Sequence, residues 1–144
     1  MPESFGTTPD ANSARRILSG VLPNIYKAFE FRSEEAAFDR LSLSVTGDTL
    51  TQVYLEHQRA LEMEERGGAR ARVEAFEVTD VDDIRSGDDG GFVADASWNV
   101  GGTVVHFGHR HFRQNRYNAR VVVVPVDGSW KIESITILEE ERLR

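Results

Sequence analysis

GFVADASWNVGGTVVHFGHRHFRQNRYNARVVVVPVDGSWKIESITIL, residues 91–138, decides the fold of this chain. Phe92, Ala94, Ala96, Trp98 and Val100 alternate with Val93, Asp95, Ser97 and Asn99. That alternation predicts a strand with one buried face. Gly101-Gly102 interrupts it and predicts a bulge or bend in a strongly curved sheet. His109, His111, Tyr117, Ala119, Val121 and Val123 share parity along a second strand, over about 109–124. Asp127-Gly128 is a tight-turn signal. Behind it Trp130–Leu138 opens a third strand with a tryptophan.

Upstream, a strand is predicted over about Ala69–Val81. Its Val73 and Ala75 face opposite to Phe76 and Val78, which predicts a bulge or burial on both sides. Asp82–Gly90 reads as an acidic turn. Three helical patterns come earlier still. Ala14, Ile17, Leu18, Val21, Leu22, Ile25, Tyr26 and Phe29 follow helical spacing, with Asp10 or Ser13 as the cap and Pro23 as a kink or a new turn. Ser33 caps a short second helix whose apolar face is Ala37, Phe38 and Leu41. The third helix starts near Asp48, lines up Leu50, Val53, Tyr54, His57, Leu61 and Glu64, and stops at Gly67-Gly68.

The fold class is therefore α+β: three N-terminal helices packed on a strongly curved antiparallel sheet of about four strands. Residues 1–12 read as a flexible leader or linker, 13–140 as one domain and 141–144 as a solvated tail. The predicted core is Ile17, Leu18, Val21, Ile25, Phe29, Phe38, Leu41, Val53, Phe76, Phe92, Trp98, Val121, Val123, Trp130, Ile132 and Leu138.

Bulk composition narrows the chemistry. A length of 144 residues suits one domain with a sizeable core. No cysteine is present, which removes thiol catalysis, disulfides and thiolate metal sites. The net charge of −7 argues against nucleic acid or an anionic membrane as the main partner. Arginine outnumbers lysine 15 to 2. Genome composition accounts for that blandly; a surface that reads phosphate or carboxylate is the alternative. Residues 1–12 lack the basic start and apolar core of a signal peptide.

The order of elements resembles the NTF2-like (cystatin-like α+β cone) superfamily. The residues that carry the resemblance are the helical pattern Ile17–Phe29, the link Phe29-Glu-Phe-Arg-Ser-Glu-Glu35 and the hairpin Asp127-Gly-Ser-Trp-Lys-Ile132. The resemblance implies a conical pocket between helices and sheet. It implies either an enzyme of isomerase, dehydratase or cyclase type, or a domain that only binds, dimerises or assembles other proteins. The chain is also similar to soluble domains that follow membrane segments in bacterial membrane proteins. That likeness favours an extracytoplasmic place, with the tether outside this chain, over a cytoplasmic one.

Three constellations could carry chemistry. His106, His109 and His111 lie on one side of a hairpin if Phe107-Gly108 is its tip, and three imidazoles there could hold Zn²⁺ with one position open. Against this, Arg110 and Arg113 repel a cation and the hairpin has no carboxylate, so no stoichiometric metal and no cofactor are expected. A ligand pocket in the cone would draw on Tyr26, Tyr54, His57, Trp98, Asn115 and Tyr117, but no His–Asp pair has a spacing that forces contact. Asp95 has the opposite parity to Trp98 and should not share its face. Lastly, Arg110, Arg116 and Arg120 form an outward stripe that pairs with Glu133 and other carboxylates or serves as a dimer surface. The leading expectation is a non-catalytic domain that forms a homodimer through its sheet and does not bind nucleic acid. The alternative is a small-molecule binder or isomerase/dehydratase-type enzyme using the cone.

Overall fold

A computed structural model describes residues 8–68 and 70–144. Of the predicted leader, residues 1–7 lie outside the described residues. The elements run α1 (Ala11–Ala28), α2 (Glu34–Ser42), α3 (Gly47–Glu65), β1 (Arg70–Ser86), a 3-10 turn (Asp88–Gly90), β2 (Phe92–His106), β3 (His109–Val126) and β4 (Ser129–Arg142). The four strands form one antiparallel sheet in the order β1-β2-β3-β4. This is the α+β arrangement that the sequence predicts.

Local chemistry explains the boundaries. Asp10 caps α1 by accepting from the Ser13 amide at 2.8 Å, and Ser33 caps α2 by accepting from Ala36 at 3.3 Å. Pro23 does not end α1, which continues to Ala28, and the Asn24 side-chain amide reaches the Gly20 carbonyl at 3.4 Å. Two hairpins turn on residue pairs in the left-handed region, Phe107-Gly108 (φ 52° and 79°) and Asp127-Gly128 (φ 50° and 81°). The helical layer is tied to β4 by main-chain bonds, Thr46 N–H to the Ile132 carbonyl at 2.9 Å and Ile132 N–H to the Ser44 carbonyl at 2.7 Å.

The core lies between α1 and one face of the sheet. Ala14, Ile17, Leu18, Val21 and Leu22 meet Phe92, Ala94, Ala96, Trp98, Ala119, Val121, Val123 and Ile132. The predicted parities of β2 and β3 hold, because the register sets Trp98 opposite Tyr117, Ala96 opposite Ala119 and Ala94 opposite Val121. On α3, Leu50, Val53, Tyr54, Leu61 and Glu64 are half-buried and His57 is buried, as the spacing predicts.

Several expectations need correction. Phe38 is 42% exposed, because the buried stripe of short α2 is Ala37 and Leu41 and Phe38 leans out against Tyr54. Leu138 is 44% exposed. Asn118 pairs with Glu139 and Ala119 with Ile137, so Leu138 is the extra residue of a β4 bulge. The acidic turn of 82–90 is mostly strand: β1 runs to Ser86 through register shifts at Val78/Asp80 and Asp82/Arg85. Gly101-Gly102 does not interrupt β2. The bulge sits opposite, between Val73 and Ala75, because a Cβ on Gly102 would collide with the Arg72 carbonyl.

Trp98 is 2% exposed whereas Trp130 is only half-buried. Urea denaturation should therefore show a loss of roughly 3–5 kcal/mol for Trp98→Ala and a clearly smaller loss for Trp130→Ala. Equal losses would mean that the two rings contribute alike to the core.

Candidate functional site: the mouth of the cone

The buried face of β2 and β3 becomes polar at one end. Moving outward from Trp98 and Tyr117, the pairs are Val100–Asn115, then Gly102–Arg113, then Val104–His111 and His106–His109. Alternation places all of these on the helix-facing side. Tyr26, on the last turns of α1, reaches this point from above.

The indole N–H of Trp98 donates to the Tyr26 hydroxyl at 2.9 Å. Trp98 stacks on Tyr117 at 6.0 Å between ring centroids, and Tyr26 tilts against Phe76 at 5.7 Å. Burial pushes the Tyr26 phenol up to about 12, opposed by the Trp98 bond and reinforced by Tyr117 and Glu140. The Tyr117 phenol is also raised, chiefly by burial and then by Glu140. The Tyr26 hydroxyl accepts from Trp98, so its own proton is left for another partner.

Beside these rings lies a cavity of about 180 Å³. Its floor is apolar, from Ala71, Val73, Val100 and Val104, and its rim has Tyr26, Asn115 and Arg113. A shallow cleft lined by Arg113, Asn115, Glu140 and Arg142 adjoins it across the same side chains. Among the described residues, no carboxylate or imidazole lines the cavity itself. Tyr26 stays neutral far above neutrality, which does not suit proton transfer near pH 7.

The six pocket candidates divide into two groups. Tyr26, Trp98, Asn115 and Tyr117 come together at the mouth. Tyr54 and His57 do not join them. Tyr54 accepts from the Gln58 side-chain amide at 2.9 Å and meets Phe38 edge-on. His57 is fully buried, with Nε2 2.9 Å from the Phe31 carbonyl and its ring edge-on to Phe29. A carbonyl only accepts, so Nε2 carries the proton, and Nδ1 has no hydrogen-bond partner among the described residues. His57 thus pins the α1–α2 link to α3. Arg113 and Glu140 are rim residues outside the six candidates; the Gly102–Arg113 parity was the available signal.

The histidines stand away from this site. His106 opposes His109 across the turn, His111 opposes Val104, and all three are exposed. His109 and His111 stack at 6.4 Å while His106 packs on Phe107 at 4.0 Å. Among the described residues, no group of three or more His, Cys, Asp or Glu is placed to hold a metal ion.

On the outer face of the sheet, Asp95 pairs with Arg120 and Asp80 with Arg116, each at 3.2 Å. Asp95 therefore lies away from Trp98, as its parity predicts. The carboxylates that meet the arginine stripe are these aspartates, not Glu133. Glu133 is the extra residue of the second β4 bulge, and its carbonyl accepts from the Thr49 hydroxyl at 2.6 Å.

Three helices followed by a four-stranded antiparallel sheet, with α1 and α3 against the sheet and α2 bridging them, make an NTF2-like fold. The chain is similar to the intermembrane-space region of the chloroplast protein ARC6, at 20% identity over 92% of this chain and 98% of that one, with a TM-score of 0.64. It is also similar to Aln2 from a Streptomyces species, at 14% identity over 94% of each chain and a TM-score of 0.50. No protein-family model and no curated protein matches the chain.

Tyr26→Phe tests the Trp98 bond. It leaves a buried N–H without an acceptor and should cost about 1–3 kcal/mol in urea denaturation at pH 7. The folded phenol titrates above the unfolded one, whose ordinary value is 10.0. Its share of stability is full below pH 10 and is lost as pH rises toward 12. By linkage the wild type should lose roughly 2–3 kcal/mol across that window. The Tyr26→Phe variant should lose only the smaller Tyr117 share.

Proposed function

We propose that this chain is a non-catalytic interaction domain that works as a homodimer through the outer face of its sheet. The observation that carries the reading is the filled cone. Phe92, Trp98, Leu18, Leu22, Val121 and Val123 are buried and fill the space between α1 and the sheet. The cavity at the mouth holds about 180 Å³, below the usual range of roughly 300–1,000 Å³ for small-molecule pockets, and the cleft of about 330 Å³ that adjoins it is shallow and polar-rimmed.

The outer face supports the dimer. It carries ordered but half-exposed groups, Asp80–Arg116 and Asp95–Arg120, around the Asn118 amide that donates to the Ser97 hydroxyl at 2.9 Å. A mix of arginine and neutral polar groups suits a wet interface. In this reading the domain is the soluble part of a membrane-attached protein. No described helix is itself long and apolar enough to cross a membrane.

A second reading rests on the gathering of Tyr26, Asn115 and Arg113 around the mouth cavity. Those groups would orient a small ligand with an apolar body and a hydrogen-bonding end.

Sedimentation equilibrium across a wide concentration range tests the dimer. The expected mass is twice the 16.2 kDa of one chain. Arg116→Glu with Arg120→Glu should return it to one chain, while the melting temperature moves little, since exposed ion pairs are worth about 0–1 kcal/mol each. A single-chain mass for the wild type at every concentration removes the dimer. Native mass spectrometry of untagged protein that shows a bound small molecule, lost in Asn115→Ala, would move the reading to the ligand binder.

A further inference from the structure

Beyond the cone mouth, which takes Thr103, Val104 and Arg113, the tip of the β2–β3 hairpin from Val105 to Phe112 serves neither the core nor the cavity. Residues 103–113 hold two arginines, three histidines and no carboxylate, in a chain of net charge −7. The register brings more arginines to the same end of the sheet. Arg70 and Arg72 pair with Val105 and Thr103, and Arg144 lies over the Phe112 ring at 5.8 Å. Arg70 and Arg72 have Glu64 and Glu30 at 3.7 Å. Arg110 and Arg113 have no ion pair among the described residues.

The same tip exposes apolar surface. Phe107 is 81% exposed, Phe112 49% and Val105 36%. Phe107 occupies a left-handed backbone position, φ 52°, where a large side chain is disfavoured and Asn or Gly is the usual choice. Its ring touches His106 at 4.0 Å and otherwise stands in solvent. Neither packing nor turn chemistry accounts for a phenylalanine there. A local cost with no internal return points to an external partner.

We infer that this tip docks on an anionic lipid surface, with Phe107 entering the headgroup layer and Arg110 and Arg113 against the phosphates. Shape favours lipid over the other anionic partners. The tip is a narrow wedge with an aromatic apex and cations on both faces. A deformable headgroup layer accepts such a wedge, whereas single-stranded nucleic acid needs a groove or a flat stacking platform. The rest of the chain is acidic and is repelled by the same surface, so approach is tip-first. The docking residues are separate from Arg116 and Arg120, and the inference holds for a monomer or a dimer.

Co-sedimentation with vesicles tests it, using phosphatidylcholine alone and phosphatidylcholine with about one-third phosphatidylglycerol. The wild type should bind the anionic vesicles at low salt, release as salt rises and ignore the neutral ones. Phe107→Asn suits the turn, so its melting temperature should hold or rise while binding falls at least about fivefold. Arg110→Gln with Arg113→Gln should cut binding about 25-fold, at about fivefold per arginine. Absence of wild-type binding, equal binding to neutral vesicles, or unchanged binding of both variants overturns the inference. So does capture by a single-stranded oligonucleotide or an acidic polypeptide when vesicles are not bound. None of these outcomes alters the mass measured for the dimer, so the two readings fail separately.

Discussion

The hydrogen bond from the Trp98 indole to the Tyr26 hydroxyl is the constraint around which the domain is arranged. A tryptophan that is only 2% exposed must satisfy its N–H, and the acceptor comes from the far end of α1. That requirement sets where α1 lies along the sheet. It places Ile17, Leu18 and Leu22 over Phe92, Ala94 and Val121, and it turns Tyr26 toward the open end. Tyr117 then stacks on the other side of the indole. These aromatic groups fill the interior of the cone, and the cavity and its adjoining cleft lie at the mouth.

Small side chains and bulges make this closure possible. Ala94, Ala96 and Ala119 are fully buried and let α1 approach the sheet. Gly102 lets the Arg72 carbonyl come close, and the register shift between Val73 and Ala75 follows on the neighbouring strand. Two further bulges in β4 remove Glu133 and Leu138 from the pairing. Bulges raise the local twist and bend of a strand. The strain of curvature is thus spread over both edges of the sheet while the central β2–β3 ladder stays regular from Phe92 to His106.

Charge is organised by the same ladder. The net value of −7 describes the whole chain and hides a basic pole. Strand pairing carries Arg70, Arg72, Arg110 and Arg113 to one end, although Arg70 and Arg113 lie 43 positions apart in the sequence. On the outer face, Asp80 and Asp95 neutralise Arg116 and Arg120 within the sheet. Bulk charge therefore misjudges what each surface can meet.

The sequence by itself determined the element order, the Asp127-Gly128 turn, the cap at Ser33 and the inward parity of Trp98, Tyr117, Ala119 and Val121, and hence the α+β class; the structure chose Asp10 over Ser13 as the α1 cap and fixed Phe107-Gly108 as the other hairpin tip. These follow from local rules, the period of the backbone and the few residues that tolerate a given turn. Tertiary structure decided the rest. Phe38 and Leu138 have the right chemistry for a core but lie outside it, one on a short edge helix and one at a bulge. The strand through Asp82 and Asp83 was hidden by residues that disfavour strands, and neighbouring β2 holds it in place. Tyr54 and His57 fit a pocket by type, yet α3 turns them toward Phe38 and the Phe31 carbonyl. Which residues share a site depends on register between segments distant in the chain, and a one-residue shift changes every face. Local patterns do not contain that register, whereas the packed sheet does.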